Sequence, residues 1–95
     1  KGSAEATYNL ATALRRLERD AEAAEPFTAA MRLEPAYSAD CLAELGAIRA
    51  LDDDEPGARS LLQQALALEP LHAAALRYIE ALDSSGGGTG ANRSE

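Results

Sequence analysis

Asp52, Asp53, Asp54 and Glu55 form the densest set of candidate metal ligands in the chain. A calcium loop needs oxygens at alternate positions, a glycine at the sixth and a closing glutamate, and this run lacks that arrangement. It reads instead as a helix start: Asp54 or Glu55 caps, Pro56 takes the first helical position, and negative charge faces the positive end of the helix dipole. His72 is the single histidine. It follows Pro70 at a helix start, with no cysteine or serine beside it for nucleophilic work. Cys41, the single cysteine, excludes an internal disulfide and is expected as a small, half-buried residue near a helix start. No catalytic residue, metal site or cofactor site is assigned, and the chain is not expected to be an enzyme.

The elements that hold these residues are helices. The chain has 95 residues, no valine, no tryptophan and only two isoleucines, against an abundance of alanine and leucine. Strand-forming types are nearly missing and the best helix formers dominate, so the fold class is all-α, with one small domain. The formal charge of −7 comes with no basic stripe to neutralise phosphates, which argues against nucleic acid and anionic membranes as partners. No apolar run is long enough to cross a bilayer, so no membrane insertion is expected, and Lys1 to Ala4 is not the charged start of a signal peptide. Lys1 and Gly2 make an odd beginning, and the chain is expected to be a segment of a larger protein. Its localisation is cytoplasmic only by default.

One stretch of sequence occurs twice. Ala23, Phe27, Ala30, Leu33, Glu34 and Pro35 return as Ala58, Leu62, Ala65, Leu68, Glu69 and Pro70, each moved by 35 residues. Small, large and small residues closed by a proline describe one helix face ended by a breaker, and such a period marks stacked units. A first helix is predicted from Ala4 to about Leu17, with Leu10, Leu14 and Leu17 on its apolar face. Asp20 is expected to cap a second helix over Ala21 to Glu34. Pro26 predicts a bend or loosened first turn there, the alternative being a start only near Glu25. Ser38 is expected to cap a third helix whose apolar residues Leu42, Leu45, Ile48 and Leu51 sit three apart and drift around the axis, and Gly46 predicts the close approach of a neighbour. The fourth helix spans about Pro56 to Glu69, with Ala58, Leu62, Ala65 and Leu68 inward. The fifth spans Leu71 to about Asp83 and covers the fourth with Leu76, Ile79 and Leu82.

These residues resemble the tetratricopeptide repeat, a helix pair of 34 residues with the pattern W-x2-L-G-x2-Y, then A-x3-F, then P. Ala23, Phe27 and Pro35, and again Ala58, Leu62 and Pro70, match its second half. Thr7, Leu10, Ala11 and Leu14 match the first half loosely, as do Leu42, Leu45, Gly46 and Arg49. The resemblance implies a right-handed superhelical array of antiparallel helix pairs with about five helices. Residues 1–3 would be an extension, repeat 1 about 4–37, repeat 2 about 38–72, a closing helix about 71–83, and 84–95 a disordered glycine- and serine-rich tail.

The resemblance also implies a non-catalytic module that binds a peptide or a helix of a partner protein on a concave face. Carried over position by position, that face shows Tyr8, Asn9, Thr12, Arg15 and Arg16, then Glu44 with Ala43 and Ala47, then Arg77 and Tyr78. Aromatic and guanidinium groups hold peptides through area and forked hydrogen bonds. The family's co-chaperone branch grips C-terminal carboxylates with lysine, asparagine and arginine. Tyr8, Thr12, Glu44, Ala74 and Tyr78 stand at those places here, so that clamp is absent. The alternatives are a homodimer formed through an exposed end of the array and a structural spacer within a multidomain protein.

Overall fold

The computed structural model describes residues 3–84, and among them the fold is all-α with no strand. The helices are α1 (Ala4–Arg16), α2 (Asp20–Leu33), α3 (Ser38–Leu51), α4 (Glu55–Leu68) and α5 (Ala73–Leu82), with a 3-10 helix at Pro35–Tyr37. Lys1, Gly2 and residues 85–95 of the expected tail lie outside the described residues.

Helix ends are set by local chemistry, which corrects several expectations. Ser3, assigned to the extension, caps α1 by accepting the Ala6 amide at 3.0 Å. Ser84, assigned to the tail, continues the last turn after α5. Asp20 does not cap α2 but is its first residue, with no side-chain cap bond, and its carboxylate turns back to Arg15 at 3.5 Å. Ser38 does not cap α3 either, because the 3-10 helix leads straight into it from Tyr37. Of the two capping candidates for α4, Asp54 is the one used, accepting the Gly57 amide at 3.0 Å. The fifth helix starts at Ala73 rather than Leu71, because His72 is its cap.

Pro26 sits inside an unbroken α2 that begins at Asp20, which excludes the start near Glu25. Its missing amide leaves the Glu22 carbonyl without the usual partner. The first turn is held by two long bonds of 3.2 Å, from Glu22 and Ala23, both onto the Arg19 carbonyl.

The turns after α1 and α3 are copies. Glu18 and Asp53 both take positive φ, 61° and 62°. Each turn closes by a Schellman pair, Arg19 to Leu14 and Glu18 to Arg15 in the first, Asp54 to Arg49 and Asp53 to Ala50 in the second. Such a turn folds each helix back along its predecessor. Arg15 meets Asp20 beside the first turn while Tyr8, further back, meets Phe27, further on, so α1 and α2 are antiparallel. Arg49 with Asp54 and Gly46 with Leu62 show the same for α3 and α4.

The doubled cassette is the core. Ala23, Phe27 and Ala30, and Ala58, Leu62 and Ala65, are all fully enclosed. Ala11, Cys41 and Ile48 join the first set; Leu42, Ala43 and Ala75 surround the second, and Met31 touches both clusters. Gly46 meets the expected close approach: a Cβ there would lie 2.8 Å from Leu62 Cγ and 3.2 Å from the Ala58 carbonyl oxygen.

Several leucines expected on apolar helix faces are exposed, Leu10, Leu17, Leu51, Leu68 and Leu76, and so is Leu33. Leu33, Leu51 and Leu68 end their helices and Leu17 follows the end of α1. Alanine holds the inner positions because it lets backbones approach. The first helix therefore packs through Ala11 and Leu14, and the fifth through Ala75, Ile79 and Leu82.

Candidate interaction face

The odd-numbered helices lie side by side and point the same way. Tyr8 meets Tyr37 and Arg15 meets Glu44, so position advances together along α1 and the segment leading through α3. Asp40 meets His72 and Glu44 meets Tyr78, which does the same for α3 and α5.

Seven of the eight expected residues gather along this side. Tyr8, half-buried, stacks on Tyr37 with centroids 5.3 Å apart and turns its edge to Phe27 at 5.7 Å. Burial first, then the Asp40 and Glu44 carboxylates, push its phenol up from the ordinary range. The Thr12 hydroxyl donates to the Tyr8 carbonyl at 3.0 Å. Arg15 stands between two carboxylates, Asp20 at 3.5 Å and Glu44 at 3.6 Å. Its buried Nη1 and the Asp20 Oδ1 have no hydrogen-bond partner among the described residues. Tyr78 donates to Glu44 at 3.3 Å, and burial, followed by the Glu44 charge, raises its phenol. Arg15, Glu44 and Tyr78 thus tie three helices together.

Tyr8, Thr12, Arg15, Arg16 and Glu44 line one hollow of about 300 Å³. Asn9 lines its neighbour with Thr12 and Arg16. Arg15 and Tyr78 border a third hollow, about 350 Å³, floored by Gly46 and Leu62 and walled by alanines. Arg77 is exposed and lines none of them. Ala43 and Ala47, expected on the open face, are buried, because small residues between parallel helices are consumed by packing.

Sequence reasoning missed the partner of His72. Its Nδ1 accepts the Ala75 amide at 3.1 Å, so the proton belongs on Nε2, which donates to Asp40 Oδ1. A polar residue just ahead of an alanine-rich helix is a cap signal, but nothing local announces an aspartate 32 residues earlier. His72→Ala is expected to lower unfolding free energy by about 1–2 kcal/mol through loss of cap and bond. His72→Asn, which restores the cap alone, should recover part of it in urea denaturation.

Cys41 is fully rather than half enclosed. Burial, then the Asp40 and Glu44 charges, raise its thiol to about 11, so it carries little thiolate at neutral pH. Among the described residues no group of three or more His, Cys, Asp or Glu side chains is placed to hold a metal ion. No described helix is long and apolar enough to cross a membrane. No protein-family model, curated protein or solved structure matches the chain.

Proposed function

We propose that this protein is a non-catalytic interaction module of tetratricopeptide-like architecture that holds a peptide or a helix of a partner protein along α1, α3 and α5. The observation that carries this reading is the parallel alignment of those helices, with two hollows between them and a third along α1. Their walls mix aromatic area with Arg15 and Arg16, the combination that anchors a peptide by area and forked hydrogen bonds. The repeated Schellman turns and enclosed cassettes support a superhelical array of the same kind, because identical units joined by identical turns stack with a constant rotation.

Arg16 and Arg77 are both exposed, so removing them leaves the fold alone. A peptide selected from a displayed library against the protein is expected to lose about tenfold or more in affinity for an Arg16→Ala, Arg77→Ala variant, one anchoring arginine commonly contributing that much. Undiminished binding by that variant would remove the face from consideration. An acidic C-terminal peptide should give no saturable signal, since the clamp residues are absent.

Self-association is a second reading, favoured by Leu68, Leu71 and Leu76, all exposed around the turn between α4 and α5. Leu71 is 88% exposed. Sedimentation that shows a monomer over a wide concentration range would eliminate it.

A further inference from the structure

Two helices of the chain use one set of positions to meet the helix before them. On α3 the set is Cys41, Leu45 and Ile48, which pack with Ala23, Phe27 and Ala30 of α2. On α5 it is Ala75, Ile79 and Leu82, 34 residues on, packed with Leu62 and Ala65 of α4. The same set on α1, 35 residues before that of α3, is Ala6, Leu10 and Ala13, with Leu17 one turn further. All four are exposed, Leu10 by 54% and Leu17 by 65%. Steps of four, three and four residues place them on one stripe, beside Leu14 and turned away from Ala11.

We propose that this stripe is a docking surface for the second helix of a further helix pair of the same design. Its occupant would present small, large and small residues at steps of four and three. One covered instance is covered by Ala23, Phe27 and Ala30 and the other by Leu62 and Ala65 of the matching cassette. The bare instance is the more apolar one at its end, since Leu17 stands where α3 has Asp52. A second copy of the chain cannot supply the pattern, because both of its cassettes are already fully enclosed within it. An extended peptide has no face with that spacing. The stripe borders the proposed peptide face, since Ala13 and Leu17 also line the hollow of Asn9, Thr12 and Arg16, but it is argued from the repeated set and not from that reading.

The test places a copy of residues 3–37 directly before Ser3 of the full chain, in place of Lys1 and Gly2, which keeps the 35-residue step. Urea unfolding of the extended protein should be a single transition with a higher midpoint and a steeper slope. Leu10→Lys in the original α1 should lower its folding constant by about ten- to a hundredfold, the effect of a newly buried leucine. In the unextended chain the same substitution should change it by no more than about twofold, as at an exposed site. A separate transition for the added pair would overturn the proposal, and so would an equal effect of Leu10→Lys in both proteins. An unextended chain that sediments as a dimer split by Leu10→Lys would overturn it too, in favour of a second copy as occupant.

Discussion

Phe27→Ala is expected to cost about 3–5 kcal/mol of unfolding free energy, the usual range for a buried aromatic ring. Domains of this size hold roughly 0.05–0.15 kcal/mol per residue, so the loss removes much of the total. Phe27 is fully enclosed and belongs to the cluster that holds Ala11, Ala23, Ala30, Cys41 and Ile48, with the edge of Tyr8 against it. Most of those neighbours are too small to swing into the vacated space, so the cavity stays open. Phe27→Leu, which copies Leu62 at the same place in the second unit, should cost less than about 1.5 kcal/mol. Leu33→Ala, at a half-exposed helix end, should fall within about 0.5 kcal/mol of the parent. Helical circular dichroism against urea measures all three. A Phe27→Ala variant that unfolds at the parent's midpoint would show that the first cluster does not hold the fold.

The contrast between Phe27 and Leu33 also marks what could be read from sequence. Both belong to the doubled stretch, and spacing alone rates them equally. Phe27 faces another helix at mid-length, whereas Leu33 ends its own helix beyond the reach of a neighbour. Periodicity identifies a face but not how far along it the cover extends, and Leu51 and Leu68 are exposed for that reason. Leu10 and Leu17 are exposed for another: they lie on a stripe of α1 that no described helix covers. The alanines of the doubled stretch and Gly46 were more legible than the leucines, the first because they recur at fixed spacing, the second because a glycine in mid-helix has a cost that close approach explains.

The candidate face was legible as a list of positions and not as a set of interactions. Tyr8, Arg15, Glu44 and Tyr78 do come together, but Arg15, Glu44 and Tyr78 direct their polar groups largely to one another. Those pairings span 29 residues between Arg15 and Glu44 and 34 between Glu44 and Tyr78. They depend on how far one helix pair slides along the next. Local rules have no access to that offset. The same limit hid Asp40 behind His72 and made Asp20 look like a cap when its carboxylate was committed to Arg15.

Gly46 and Leu62 give the second large effect, and they give it as a coupled pair. Leu62→Ala is expected to cost about 2–5 kcal/mol, because the side chain is fully enclosed. Gly46→Ala brings two opposed terms. Alanine gains about 1 kcal/mol over glycine inside a helix. Its methyl, however, would stand 2.8 and 2.9 Å from Leu62 Cγ and Cδ2 and 3.2 Å from the Ala58 carbonyl oxygen. Leu62 can swing only into the hollow that it floors beside Gly46, whereas the carbonyl belongs to the backbone of α4 and cannot turn aside, so α3 and α4 must separate. Overpacking of that kind costs about 1–3 kcal/mol, and Gly46→Ala should therefore be neutral to destabilising by about 2 kcal/mol. The double variant decides the mechanism. With Leu62 cut back, the new methyl enters the space its side chain left, the clash with the side chain disappears and the propensity gain survives. Gly46→Ala combined with Leu62→Ala should then be more stable than the sum of the single losses by about 1 kcal/mol or more, the scale on which touching residues couple. Strict additivity across the urea-denaturation cycle would mean that Gly46 is bare for a reason other than Leu62, and that the approach of α3 to α4 is set elsewhere along their contact.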